Sequence, residues 1–124
     1  MGELEFTKKH RLLNSLDFDA VFKGKDYRIG TQEFLILAKH NHEANSRIGM
    51  VIGKKTTKLA VNRNKVKRTI RESFRTHFPK NIALDIVIVS RPSINKVLNS
   101  GLAEKLMNSW LALSQKALHR AESD

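Results

Sequence analysis

The residues best placed to do chemistry are cations. Residues 44 to 71 hold Arg47, Lys54, Lys55, Lys58, Arg63, Lys65, Lys67, Arg68 and Arg71, and not one Asp or Glu. A solvated helix surface usually mixes signs, because opposite charges three or four residues apart stabilise it. Nine like charges without an acid raise the cost of folding, and a polyanionic partner relieves that cost. Arg and Lys neutralise phosphates and release their counterions. Asn64, between Arg63 and Lys65, adds directional hydrogen bonds for backbone or base edges. Phe18 and Phe22 lie four residues apart, hence on one helix face, where an aromatic ring can stack on an unpaired base. Irregular or single-stranded RNA offers such bases more readily than duplex DNA.

Catalytic chemistry is not assembled in the same way. A protein nuclease needs clustered carboxylates to hold magnesium, or a histidine acid–base pair. The acids Asp17, Asp19, Asp26, Glu33, Glu43, Glu72, Asp85 and Glu104 are scattered. His40 and His42 have no third ligand beside them, and no glycine-rich loop follows the Walker pattern. The chain has no cysteine, which removes thiolate nucleophiles and Cys-ligated zinc. No residue is therefore assigned as catalytic or as a metal ligand.

The 124 residues, 40% of them hydrophobic, suit one domain spanning 1–124, and the net charge of +11 suits a polyanion. No apolar run approaches the ~18 residues of a membrane span, and the acidic start of the chain does not resemble a signal peptide. A cysteine-free chain fits the cytoplasm. An anionic membrane surface is the weaker alternative partner, because the narrow apolar face of the basic helix is needed for the core. The small cluster Lys8, Lys9, His10 and Arg11 reads as an ordinary solvated terminus.

Several elements must position these cations. Residues 1–13 read as an irregular arm tied down by Phe6 and Leu12–Leu13. Asn14 or Ser15 caps a short helix through Phe22, ended by Gly24. Tyr27 to Lys39 reads as one strand and Ser46 to Gly53 as a second. In the latter, Ile48, Met50 and Ile52 share a face, and Gly49 and Gly53 thin the other enough for a ligand to approach. Thr56 or Thr57 caps a helix to about Phe78, with Leu59, Val66, Ile70 and Phe74 as its core stripe. Arg63 and His77 also fall on that stripe. Arg63 must snorkel or find a partner, and His77 is expected to be partly buried. Asn64, Arg68, Arg71 and Arg75 gather on a flank with Lys67 at its edge. Ile82 to Val89, apolar on both faces apart from Asp85, reads as a central strand. A turn or short helix follows over Ser93 to Asn99. Leu102, Leu106, Trp110, Leu113 and Ala117 mark a final amphipathic helix anchored by Trp110. The fold class is α+β, an α/β sandwich of helices on a small sheet. If the last two strands are parallel, the basic helix is their crossover.

The string Ala60 to Phe74, AVNRNKVKRTIRESF, resembles the signature of the bacterial ribonuclease P protein component family. There a basic helix carries Arg-Asn-Arg, then Lys-Arg and a further Arg. Arg63, Asn64 and Lys65, then Lys67, Arg68 and Arg71, hold these places, with Lys65 keeping the charge but not the planar fork of arginine. Arg11-Leu12, Asp17-Phe18 and Val21-Phe22 are similar to the family's opening, and Arg47-Ile-Gly through Gly53-Lys-Lys55 to its second strand. The resemblance implies a ribosomal-protein-like fold with a left-handed βαβ crossover around the basic helix. It implies the protein subunit of an endoribonuclease that removes the 5′ leader of precursor tRNA. The RNA subunit would be the catalyst and magnesium would act mainly there, with no obligate protein partner. The basic helix would contact the RNA subunit, with Arg75 extending the patch beyond Arg71 and Arg47 adding to it from the second strand. Phe18 and Phe22 would line the leader cleft, with Lys54 and Lys55 supplying nearby charge. A structured-RNA-binding or ribosomal accessory protein, not an enzyme, is the alternative.

Overall fold

A computed structural model describes Arg11 and residues 14–123, with side chains through residue 119. The expectations for Phe6, Leu12–Leu13 and the cluster Lys8 to His10 lie outside the described residues. The elements in chain order are α1 (Ser15–Gly24), β1 (Tyr27–Gly30), β2 (Phe34–His40), β3 (Arg47–Val51), α2 (Ala60–His77) and β4 (Leu84–Ser90). A short 3-10 helix (Pro92–Val97) then leads to α3 (Leu102–Ser123).

The four strands form one mixed sheet in the order β1-β2-β4-β3. β1 and β2 form an antiparallel hairpin, and β2 pairs antiparallel with β4. β3 runs parallel to β4, with Arg47 opposite Asp85 and Gly49 opposite Val87. The basic helix α2 is thus the crossover between two parallel, adjacent strands. β4 is central and buried on both faces from Leu84 to Ile88, as its unbroken apolar run requires.

Alternation along β2 and β4 sorts side chains onto two faces. Phe34, Ile36, Ala38, Ile86 and Ile88 join the large core beneath α2 and α3. Leu37 and Val87 meet Val21 of α1 on the other face, with Phe18, Leu35 and Val89 packed around them. All five residues of the α3 stripe are buried, Trp110 among the deepest. Its Nε1 donates to Ser73 Oγ at 2.8 Å, and its ring meets Phe74 and Phe78 edge to face at 5.8 and 5.7 Å.

Local chemistry moves several boundaries. The stretch from Tyr27 to Lys39 is two strands, because Thr31 builds a tight turn. Its Oγ1 accepts from Glu33 N at 3.2 Å and Phe34 N at 3.1 Å, and its backbone N–H donates to Phe34 O at 2.9 Å. Asn14 caps α1 by accepting from Asp17 N at 3.0 Å. α2, however, starts at Ala60, after the two threonines. Thr57 closes a turn onto Gly53 O at 2.9 Å, and its hydroxyl donates to Asn95 Oδ1 at 3.1 Å in the 3-10 helix. Leu59 is therefore the N-cap residue, without a side-chain cap, and is 62% exposed instead of belonging to the core stripe. His77, in the last turn of α2, is exposed too.

Candidate nucleic-acid interface

α1 lies chiefly over β2 and β4, and only its first turn approaches the edge strand. On the α1 side of β3, Arg47, Gly49 and Val51 alternate, and Val51 is 40% exposed. A cleft of about 180 Å³ opens there. Ile48, Gly49 and Met50 of β3 form its floor, Phe18 of α1 stands on one side, and Lys67 and Arg71 of α2 stand on the other. Arg11 completes the lining, because residue 11 bridges to Ile48 along the outer edge of β3. Gly49, expected to leave a thin face on this strand, lies in the lining of this cleft. Arg11 is the site residue that sequence reasoning passed over. Its signal lay in the small basic cluster read as an ordinary terminus.

The two phenylalanines separate. Phe18 lines the cleft. Phe22, one turn further along α1, is 39% exposed and does not line it. Of the two rings expected to share a cleft, the structure places only Phe18 in the lining of this one. They share a helix face, but only the earlier turn of α1 reaches the edge of β3.

The cations divide as clearly. Lys67 and Arg71 are one helical turn apart and face the cleft together. Arg71 Nε is buried without a hydrogen-bond partner, an arrangement that costs stability and is uncommon in native proteins. Asn64 and Arg68 are exposed on α2, outside the cleft lining. Lys54 and Lys55 are exposed in the turn after β3 and do not line the cleft. Lys65 reaches to Asn99 Oδ1 at 2.5 Å, and Arg75 pairs with Glu72 at 2.5 Å.

Two arginines have internal work. Arg63 finds the partner its position demands, donating through Nη1 to Thr57 O at 2.9 Å and Lys58 O at 2.8 Å, which secures the turn before α2. Arg47 grips Asp85 with two bonds, Nε to Oδ1 at 2.9 Å and Nη2 to Oδ2 at 2.6 Å. Its Nη2 also lies 3.9 Å from Asp17 Oδ1. The hydrogen bonds to Asp85 raise the Arg47 pKa above its ordinary value, against desolvation by burial, and the charges of Asp85, Asp17 and Glu43 act in the same upward direction. Much of its charge is therefore answered within the fold.

Among the described residues no three His, Asp or Glu side chains gather to hold a metal ion. No helix among them is long and apolar enough to cross a membrane. The arrangement can bind a polyanion: a ring and three cations meet in one groove along the edge strand.

Comparison with known proteins identifies the groove's owner. The family model described as Ribonuclease P matches residues 6–114. The chain belongs to the ribonuclease P protein family. The ribonuclease P protein component of Marinomonas sp. (strain MWYL1) is 39% identical over 118 residues, covering 95% of this chain and 89% of the relative. That of Pseudomonas fluorescens (strain Pf0-1) is 39% identical over 111 residues, covering 90% and 84%. Among solved structures, the ribonuclease P protein from Thermotoga maritima superposes with a TM-score of 0.67 at 30% identity, covering 83% of this chain and 93% of that one. The Staphylococcus aureus protein gives 0.64 at 27% identity, covering 90% and 94%. The mixed sheet with its basic crossover helix is thus the fold of this family. Family membership makes the chain the protein component of an endoribonuclease holoenzyme, with the ribonuclease P RNA subunit as its partner.

Proposed function

We propose that the protein binds the catalytic RNA subunit through the exposed flank of α2 and takes the 5′ leader of precursor tRNA in the cleft along β3. The observation that carries this reading is the meeting of Phe18, Lys67 and Arg71 in one groove. A single-stranded leader supplies both things the groove lacks: phosphate oxygens for the cations and unpaired bases for the ring. Duplex RNA would hide its bases and present only its backbone.

In this reading Asn64 and Arg68 face the RNA subunit, with Lys54 and Lys55 widening the positive surface beside β3. On the same reading the hydrolytic step belongs to the RNA subunit in the cytoplasm, and magnesium acts there. The protein contributes affinity and register, raising the local population of correctly seated substrate.

The test is reconstitution. Protein alone should leave precursor tRNA intact, and protein plus RNA subunit should remove the leader accurately at low magnesium. Within the holoenzyme, Phe18→Ala should weaken leader-bearing substrate more than leaderless tRNA. Cleavage by the protein unaided, or equal losses on both substrates, would refute the reading. RNA binding with no effect on leader removal would leave an accessory RNA-binding protein in its place.

A further inference from the structure

Arg47 is a basic residue in an acid-free segment, yet its guanidinium points at carboxylates. Its fork closes on both oxygens of Asp85, and Asn41 Nδ2 donates to Asp85 Oδ1 at 2.8 Å, locking the same carboxylate from a second side. The remaining reach of Arg47 is toward Asp17, the neighbour of Phe18 in α1. α1 is ten residues long and buries only Val21 fully, against Leu37 of β2 and Val87 of β4. Phe18, one turn earlier, packs only partly buried against the same cluster, so the start of α1 is held by less apolar contact than its middle. The Arg47–Asp17 contact holds the helix from the β3 side, next to the residue that lines the cleft.

We propose that Arg47 is a positioning residue of the leader cleft: anchored on Asp85 of β4, it draws in Asp17 of α1 and so sets the place of Phe18 beside the edge of β3. This rests on the cleft being the leader site. It differs from a phosphate-binding role in sign as well as degree. Asp17 carries a negative charge close to the groove, so if charge alone mattered, removing it would strengthen RNA binding. If Asp17 is the handle by which Arg47 holds α1, removing it weakens leader binding. Lysine cannot substitute in this role, because an ammonium lacks the planar fork that spans a carboxylate.

The experiment uses holoenzyme reconstituted with unaltered RNA subunit, measuring affinity for fluorescent precursor tRNA and for leaderless tRNA across a salt series. Arg47→Ala, Arg47→Lys and Asp17→Asn should each weaken leader-bearing substrate by about three- to tenfold, toward the lower end of the coupling between contacting residues. Leaderless tRNA should be unaffected. The double variant of Arg47→Ala with Asp17→Asn should be no worse than the weaker-binding single variant. The salt slope should stay that of the unaltered holoenzyme. The proposal is overturned if Asp17→Asn tightens or preserves leader binding. It is equally overturned if Arg47→Ala lowers the slope by about 0.7 while Arg47→Lys binds normally, the signature of a phosphate contact. Should Arg47→Ala fail to fold, Asp17→Asn and Arg47→Lys decide the matter alone, with circular dichroism confirming their folded state. Phe18→Ala, measured alongside, separates two failures. A leader-specific loss in Phe18→Ala without one in Asp17→Asn removes the role of Arg47 only, whereas no leader-specific loss in Phe18→Ala removes the cleft reading itself.

Discussion

Lys67 and Arg71 are the sharpest place to perturb the cleft. They stand one turn apart on α2 and face Phe18 across the floor of β3. If each meets one phosphate of a single-stranded leader, each alanine substitution lowers the slope of log affinity against log salt by about 0.7, and the pair by about 1.4. Raising salt fourfold, from about 50 to about 200 mM, should then shrink the double variant's deficit by about sevenfold. The deficit should be largest at low salt and specific to leader-bearing substrate. Arg68→Ala removes the same charge from an exposed position outside the cleft lining. It should weaken binding of the RNA subunit and leave the preference for leader-bearing over leaderless substrate intact. Fluorescence anisotropy on reconstituted holoenzyme, with both substrates at four or more salt concentrations, reads all of this. Stability supplies a second, independent readout. Arg71 Nε is buried without a partner, and an unsatisfied buried donor costs about 1–3 kcal/mol. Arg71→Ala should therefore keep or raise the thermal midpoint of the free protein while impairing leader binding. Equal losses on both substrates, an unchanged slope, or a clear fall in midpoint would refute the reasoning.

Leu59→Ser should stabilise the free protein by about 0.5–2 kcal/mol in urea unfolding, because the N-cap of α2 is extended at φ −81 and ψ 130 and lacks a side-chain cap. Trp110→Phe should destabilise it by about 1–3 kcal/mol, since it strands the buried Ser73 hydroxyl that accepts from the indole at 2.8 Å; calorimetry checks this. Ser46→Ala should cost a similar ~1–3 kcal/mol, as Ser46 Oγ donates to Ile82 O at 2.6 Å and accepts from Leu84 N at 2.9 Å in a buried relay. Added salt should act with opposite signs on the two equilibria, raising the free protein's thermal midpoint by screening self-repulsion while lowering its affinity for RNA.

What was legible in the sequence was what repeats along one element. The α3 stripe, the two-sided apolar run of β4 and the alternation of Ile48, Met50 and Ile52 all follow from a period and a face. What escaped depended on partners distant in sequence. Thr57 is a good capping residue, but Asn95, thirty-eight positions away, takes its hydroxyl, and the helix begins later. The hairpin at Thr31 escaped because neither Pro nor Asn marks it; a threonine hydroxyl does the work, with only Gly30 before it as a hint. Arg63 announced a conflict by falling on an apolar stripe, and its resolution by two backbone carbonyls is local enough that the conflict was the signal. Arg47 gave no such warning. Within its own segment it is one more cation, and only the pairing of β3 with β4 puts it opposite Asp85. In the same way, i,i+4 spacing joined Phe18 to Phe22, while the edge of β3 divides them.

The few acids are allocated so that none answers the α2 cations lining the cleft. Asp85 and Asp17 answer Arg47, Glu72 answers Arg75, and Glu33 answers Lys105 at 3.7 Å. Each of these pairs lies outside the cleft lining. Among the described residues Lys67, Arg68 and Arg71 make no ion pair, and two of the three line the cleft, whereas Arg63 and Lys65, also without a carboxylate, spend their donors on backbone carbonyls and Asn99. Placing acids near these three would have lowered self-repulsion and stabilised the free protein, but it would also have cancelled the potential that draws in a phosphate chain. The fold instead accepts the repulsion on a helix whose other face is fixed by Val66, Ile70 and Phe74 in the main core. A crossover helix between two parallel strands is tied at both ends to the sheet, which is why it can carry unpaired charge that an isolated helix of the same sequence could not.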